Sequence, residues 1–155
     1  MANLKLQAQR ALSVIPSDTV KIPDPASEVL SSATTSTSAG ELVDTAGLFT
    51  TTNKVYPGDI VYNLTTAGAT TVVSVDSATT LTLTDDIMLT TENYVIYNRA
   101  TNACVLYVGV AGDLALGMSS GGTETFVAHP AGYAPVSVDQ VLATGTAATN
   151  VIALW

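Results

Sequence analysis

Residues 150–155 read NVIALW, and the reading of this stretch decides the fold. Chain ends are usually polar and loosely held, yet Val151, Ile152, Ala153 and Leu154 run without a break into Trp155. Unbroken apolarity over a strand length marks a strand covered on both faces. The segment is therefore expected to be a central strand, with the end of the chain folding back on its beginning.

Working outward, the last third holds four more strand candidates: CVLYVGV, DLALGM, ETFVA and APVSVDQVLA. They are split by Gly112-Asp113, Ser120-Gly121-Gly122, Pro130-Ala131-Gly132 and Thr144-Gly145-Thr146, which place glycine where the chain must reverse. Further upstream, DIVYNL, TTVVSVD, TTLTLTDD and NYVIYN are β-branched or alternate with period two. In TTLTLTDD, Leu81 and Leu83 point one way and Thr80, Thr82 and Thr84 the other. Asp76-Ser77-Ala78-Thr79 is turn chemistry, so residues 71–84 are expected to form a hairpin. Pro57-Gly58-Asp59 supplies the turn before DIVYNL.

The start is ambiguous, because Leu4, Ala8, Leu12 and Ile15 follow a helical spacing while ALSVI suits a strand. PSDTVKIPDP, with three prolines, reads as a turn, a short extended piece and a stop. SSATTSTSAG reads as a polar linker. No long helix and no repeat emerges. The expected fold is all-β: a C-terminal antiparallel, jelly-roll-like β-sandwich at 103–155, completed by an N-terminal arm and strand at 1–26. A small β-barrel or sandwich module is inserted at 27–102.

At 155 residues a core is possible without metal or disulfide. Hydrophobic residues make up 47% and charged ones only 12%, so threonine, serine and asparagine must supply the polar surface. Such an uncharged, β-prone exterior suits faces that partners cover. The net charge of −8 and five scattered basic residues argue against binding nucleic acid or an anionic membrane. Cys104 is the only cysteine, so no internal disulfide forms, and its apolar neighbours mark a buried thiol. No apolar run reaches the ~18 residues of a membrane helix, nor is there a signal-peptide pattern. Synthesis in the cytoplasm is expected. Asn63-Leu64-Thr65 matches a glycosylation sequon by chance.

One catalytic motif occurs. Gly117-Met118-Ser119-Ser120-Gly121 fits the nucleophile elbow G-x-S-x-G, but that device needs a strand-to-helix turn. Here a strand follows, and no aspartate stands between Ser119 and His129. A Ser/Gly hairpin loop is the better reading. His129 is the only histidine, and the adjacent carboxylates Asp85-Asp86 would point to opposite faces of a strand. Asp59 and Asp113 read as turn caps. No catalytic residue, metal site or cofactor is expected. The aromatics could stack on sugars, but packing and interface roles suit most of them better.

Two separated stretches carry a resemblance. ALSVIPSDTVKIP, with LYVGVAGDLAL and GGTETFVAHPAGYAPVSVDQVLATGTAATNVIALW, resembles the head spike base proteins of tailed phages and gene transfer agents. The matching positions are Pro16 to Thr19, Leu106 to Gly109, Gly112, Asp113, Thr144 to Thr146 and Val151 to Trp155. Residues 27–102 stand where that family often has only a short link, and they look like a small β-barrel module of other phage structural proteins. The resemblance implies a non-enzymatic virion protein on the outer capsid surface: a decoration or cement protein, or a spike base. It would assemble with itself as a trimer or pentamer, dock on the major capsid protein, and hold a spike or fibre. The alternatives are a tail or neck component, and a carbohydrate- or receptor-binding module. Leu4, Leu6, Arg10, Leu12, Ile15, Tyr133 and Trp155 are the expected interface residues.

Overall fold

The computed structural model describes residues 8–155 and is all-β. Its one helical element is a single 3-10 turn, Pro25–Ser27, capped by the Asp24 carboxylate, which accepts from the Ala26 N–H at 2.8 Å. The chain divides into two compact units, residues 1–18 with 102–155, and residues 19–101. The first boundary thus falls at 18/19 rather than 26/27. The three prolines at 16–25 suggested a stop, but Val20 and Ile22 alternate between them and are buried.

The first unit is a six-stranded antiparallel sheet in the order β1-β13-β9-β12-β10-β11. Its strands are β1 (Ala11–Ser13), β9 (Cys104–Val110), β10 (Gly112–Met118), β11 (Thr123–His129), β12 (Gly132–Val141) and β13 (Thr149–Leu154). The sandwich is built on its long strand: β12 pairs with β9 through Gly132–Ala134 and, after a register shift, Val138, and with β10 through Val138–Val141. Leu106, Val108, Leu114, Leu116, Val138 and Ala153 are sealed between the layers, each 0% exposed. NVIALW is central as expected, since β13 lies between β1 and β9. The ambiguous start resolves, within the described residues, as the short strand β1 opposite Ile152–Leu154. A strand wins because β13 offers a ladder edge.

Two motif glycines have a steric reason. A Cβ on Gly109 would lie 2.7 Å from Asn150 Cβ, and one on Gly112 would lie 2.7 Å from the Ala148 nitrogen. The β9–β10 corner therefore presses its backbone against residues 147–150. The two turns at the chain's separated motifs also meet. Asp18 accepts from the Thr144 N–H at 2.9 Å and its hydroxyl at 2.7 Å, and Ser17 N–H donates to Val141 O at 2.9 Å.

The second unit holds β2 (Glu28–Ala33), β3 (Ser36–Ser38), β4 (Glu41–Val43), β5 (Ile60–Asn63), β6 (Gly68–Val75), β7 (Thr80–Leu83) and β8 (Asn93–Tyr97). Their order is β2-β8-β5-β6-β7-β4-β3. The two end strands, β2 and β3, are separated in the chain only by Thr34 and Thr35. Thr34 N–H bonds to Glu92 O on one side, and Thr35 N–H to Val43 O on the other. The sheet therefore closes into a barrel. The stretch SSATTSTSAG, expected to be a linker, is the strand pair that closes it. Its side chains are polar because main-chain pairing, not burial, holds it in place.

The barrel interior packs Leu42, Val61, Val72, Leu81, Leu83, Tyr94 and Ile96 from strands with Phe49, Val55 and Met88 from loops. The expected β6–β7 hairpin is present, with Leu81 and Leu83 inward. Buried carboxylates are satisfied by neutral donors. Asp44 accepts from the Tyr94 and Ser32 hydroxyls, both at 2.7 Å, and from Ala46 N–H at 2.8 Å. Burial, and then the neighbouring Asp44 carboxylate, push the Tyr94 phenol well above its usual range. The sequon residue Asn63 is fully buried, and its amide donates to Ile87 O and to the Glu92 carboxylate, so it offers no site for a glycan.

Candidate interaction surface

The expected core strands β9 and β13 are apolar on both faces, and only one face of each is sealed. Strand register aligns the other face. Ser13 stands opposite Ile152, Ile152 opposite Tyr107, and Tyr107 opposite Tyr133, so these side chains form one row across β1, β13, β9 and β12. Two residues further on, Ala11, Leu154 and Val105 form the next row. Tyr133 is 70% exposed and Tyr107 38%; Ile152, Leu154 and Val105 are half-buried. The result is an aromatic and aliphatic outer face without a charged side chain in either row.

The tyrosine rings lie 5.5 Å apart at an interplanar angle of 74°, edge to face. Such a pair presents one ring face and one ring edge, not a flat platform. Its direct neighbour in the row is the aliphatic Ile152, with Ser13 beyond it.

Of the expected interface residues, Tyr133 alone belongs to these rows. Leu12 stands opposite Ala153, on the face that carries the core. Arg10 and Trp155 meet through their main chains at the end of the β1–β13 ladder, and the Trp155 indole N–H donates to Asn102 O at 3.1 Å. Ile15 is half-buried just beyond β1. Leu4 and Leu6 lie outside the described residues. Tyr107, Val105, Ile152 and Leu154, which share these rows, were not among the expected residues because an apolar strand in sequence does not reveal which of its faces the fold leaves open.

Elsewhere the polar residues do structural work. The motif Gly117 to Gly121 ends β10 and enters the β10–β11 turn, closed by the Met118 N–H bond to Gly122 O at 3.0 Å. Ser119 shares a 2.9 Å hydrogen bond with Ser137. Asp59 caps its turn by accepting from Tyr56 N–H at 2.8 Å, and Asp113 accepts from Ala128 N–H at 2.7 Å. Asp85 accepts from the Thr70 hydroxyl at 3.1 Å. Burial, then the Asp139 carboxylate, push the Cys104 thiol up to about 12, so it stays protonated at neutral pH. Among the described residues, no three His, Cys, Asp or Glu side chains gather to hold a metal ion. The barrel carries a shallow groove of about 430 Å³ lined by residues that include Lys54, Tyr56, Pro57 and Ser74.

No known protein family, curated protein or solved structure matches the chain.

Proposed function

We propose that this protein is a non-enzymatic structural component of a virion, docking on the outside of a phage shell as a decoration or cement protein or as a spike base. The observation that carries the reading is the exposed row of Ile152, Tyr107 and Tyr133 on a sheet whose other face is a complete core. A strand pair that spends large apolar side chains on an open face needs a partner there. The resemblance of residues 106–113 and 144–155 to head spike base proteins supplies the kind of partner, a major capsid protein, and closed homo-oligomers as the working form. The acidic balance of the chain keeps such a component off packaged nucleic acid.

The test is a label on the protein viewed by electron microscopy in virus particles from its source. Decoration of the outer shell supports the proposal; label confined to tails, or to no particle, overturns it. A Tyr107→Glu, Tyr133→Glu variant should fold as the wild type yet fail to co-sediment with shells.

A second reading is a glycan- or receptor-binding module, and the barrel groove favours it, since Tyr56, 54% exposed, stands there with Lys54 and Ser74. Tyr56→Ala would abolish glycan retention under that reading and leave shell binding untouched under the first.

A further inference from the structure

The six-stranded sheet has two edges, and they differ. At one edge, β1 continues back toward the start of the chain. At the other, β11 is bare: Thr123, Glu124, Thr125, Val127 and Ala128 are exposed, Val127 by 77%. Both faces of β11 meet solvent, which is unusual for a seven-residue strand.

The direction of its free main-chain groups follows from β10. Ala115 N–H donates to the Thr146 hydroxyl at 3.0 Å, and Ala115 O accepts from Leu142 N–H at 2.9 Å, so Ala115 turns its main chain away from β11. Leu114 and Leu116 then face β11, bonding opposite Phe126 and Glu124. By alternation, Thr123, Thr125 and Val127 direct N–H and C=O outward. Among the described residues no main-chain group reaches these; the Thr125 N–H is met by the adjacent Glu124 carboxylate at 3.2 Å. Beyond Val127 a bulge with Ala128 at φ +50° ends the usable edge.

We infer that this edge accepts the first residues of a second copy of the chain as an added strand, an inference that rests on the reading of the protein as a self-assembling component. Three observations name the occupant. Residues 1–7 precede the described chain, and seven extended residues span about 23 Å, the length of β11. Their sequence, MANLKLQ, alternates as a strand does, with Leu4 and Leu6 on one face and Lys5 and Gln7 on the other. Lys5 is one of only five cations in a chain of net charge −8, and the accepting edge carries Glu124. The donor leaves from the β1 edge and the acceptor is the opposite edge, so the contact is head-to-tail. It closes into a ring where the rotation permits and runs into a filament where it does not.

The experiment compares the oligomeric state of the full chain, a variant lacking residues 2–7, Thr125→Pro and Thr125→Ala by native mass spectrometry and sedimentation. Proline at position 125 removes an outward N–H without touching the β10–β11 ladder, and alanine keeps that N–H. The full chain and Thr125→Ala should assemble, while the deletion and Thr125→Pro should be monomers with native circular dichroism. A labelled peptide of residues 1–9 should bind the deletion variant and bind its Thr125→Pro form at least about tenfold more weakly. Should Thr125→Pro fail to fold, Val127→Lys takes its place as the edge block, with the same outcomes. A monomeric full chain, an assembly that survives the edge block, or one that survives the deletion overturns the inference. A monomer that still decorates shells overturns it while leaving the shell-docking proposal standing.

Discussion

The barrel and the sandwich solve the same problem in opposite ways. In residues 19–101 the sheet closes on itself, its end strands being one chain segment bent at Thr34 and Thr35. Each end strand pairs on one side, β2 with β8 and β3 with β4, and strands such as β5 are buried on both faces. In the sandwich unit the sheet stays open at β1 and β11, and it shows Tyr107, Tyr133, Val127 and Val110 to solvent. The comparison teaches that self-sufficiency and incompleteness can share one short chain. The barrel joins its two end strands through one bent segment, whereas the sandwich leaves β1 and β11 apart; both units expose large apolar side chains, Leu48, Tyr56, Leu64, Val73 and Leu89 among those of the barrel.

The largest expected effect comes from cutting the sandwich's central strand. Removing residues 152–155 deletes the positions that pair with β1 and three of the five that pair with β9. With several half-buried and buried apolar side chains lost at roughly 1 kcal/mol or more each, the sandwich should unfold while the barrel keeps a cooperative melt. Calorimetry that shows a single unchanged transition would break the comparison.

Next come single core cavities. Leu116→Ala in the sandwich and Leu81→Ala in the barrel should each cost about 2–5 kcal/mol, read as shifts of separate transitions in urea. Tyr94→Phe should cost about 1–3 kcal/mol in the barrel alone, because it withdraws one hydroxyl from the buried Asp44 carboxylate. Gly112→Ala, which drives a methyl into the Ala147–Ala148 main chain, should cost about 1–3 kcal/mol in the sandwich alone.

The smallest effect is electrostatic. Hydrogen bonds from the Thr144 N–H and hydroxyl lower the Asp18 carboxyl below its ordinary 3.8, and those from Thr82 and Ser74 lower Asp76 likewise. A carboxylate with a depressed folded pKa contributes stability that is complete above its unfolded pKa and is lost as pH falls through the folded value. Both groups are exposed, so the acid loss below about pH 4 should be slight. Asp18→Asn should flatten it for the sandwich, and Asp76→Asn for the barrel.

Much of this architecture was legible locally. The alternation at Leu81 and Leu83, the turn at Asp76–Thr79 and the apolar run at the chain end carry their structure in their own residues. β2 and β3 were not legible, because Ser31, Ser36 and Thr37 are exposed and bury nothing that a pattern could register. Thr34 earns its buried place through main-chain partners far along the chain, Leu89 O and Glu92 O. The candidate surface was half legible. Two-sided apolarity in CVLYVGV and NVIALW led to the expectation that both faces would be covered, whereas the fold seals one face of each, and the tyrosine pair depends on a β9–β12 register between residues 26 apart. No local spacing encodes that register.

The interrupted layout of the sandwich sets an order of events. Its strand β1 precedes residues 19–101 in the chain and its partner β13 follows them, so the two halves of the unit are separated by the whole of the other. Left unstructured, that intervening chain would impose the closure entropy of a very long loop. The barrel removes the penalty by its own topology, because Glu28 near its entrance pairs with Tyr97 near its exit. Once folded, it presents both ends of the interruption side by side and shortens the loop to a few linking residues.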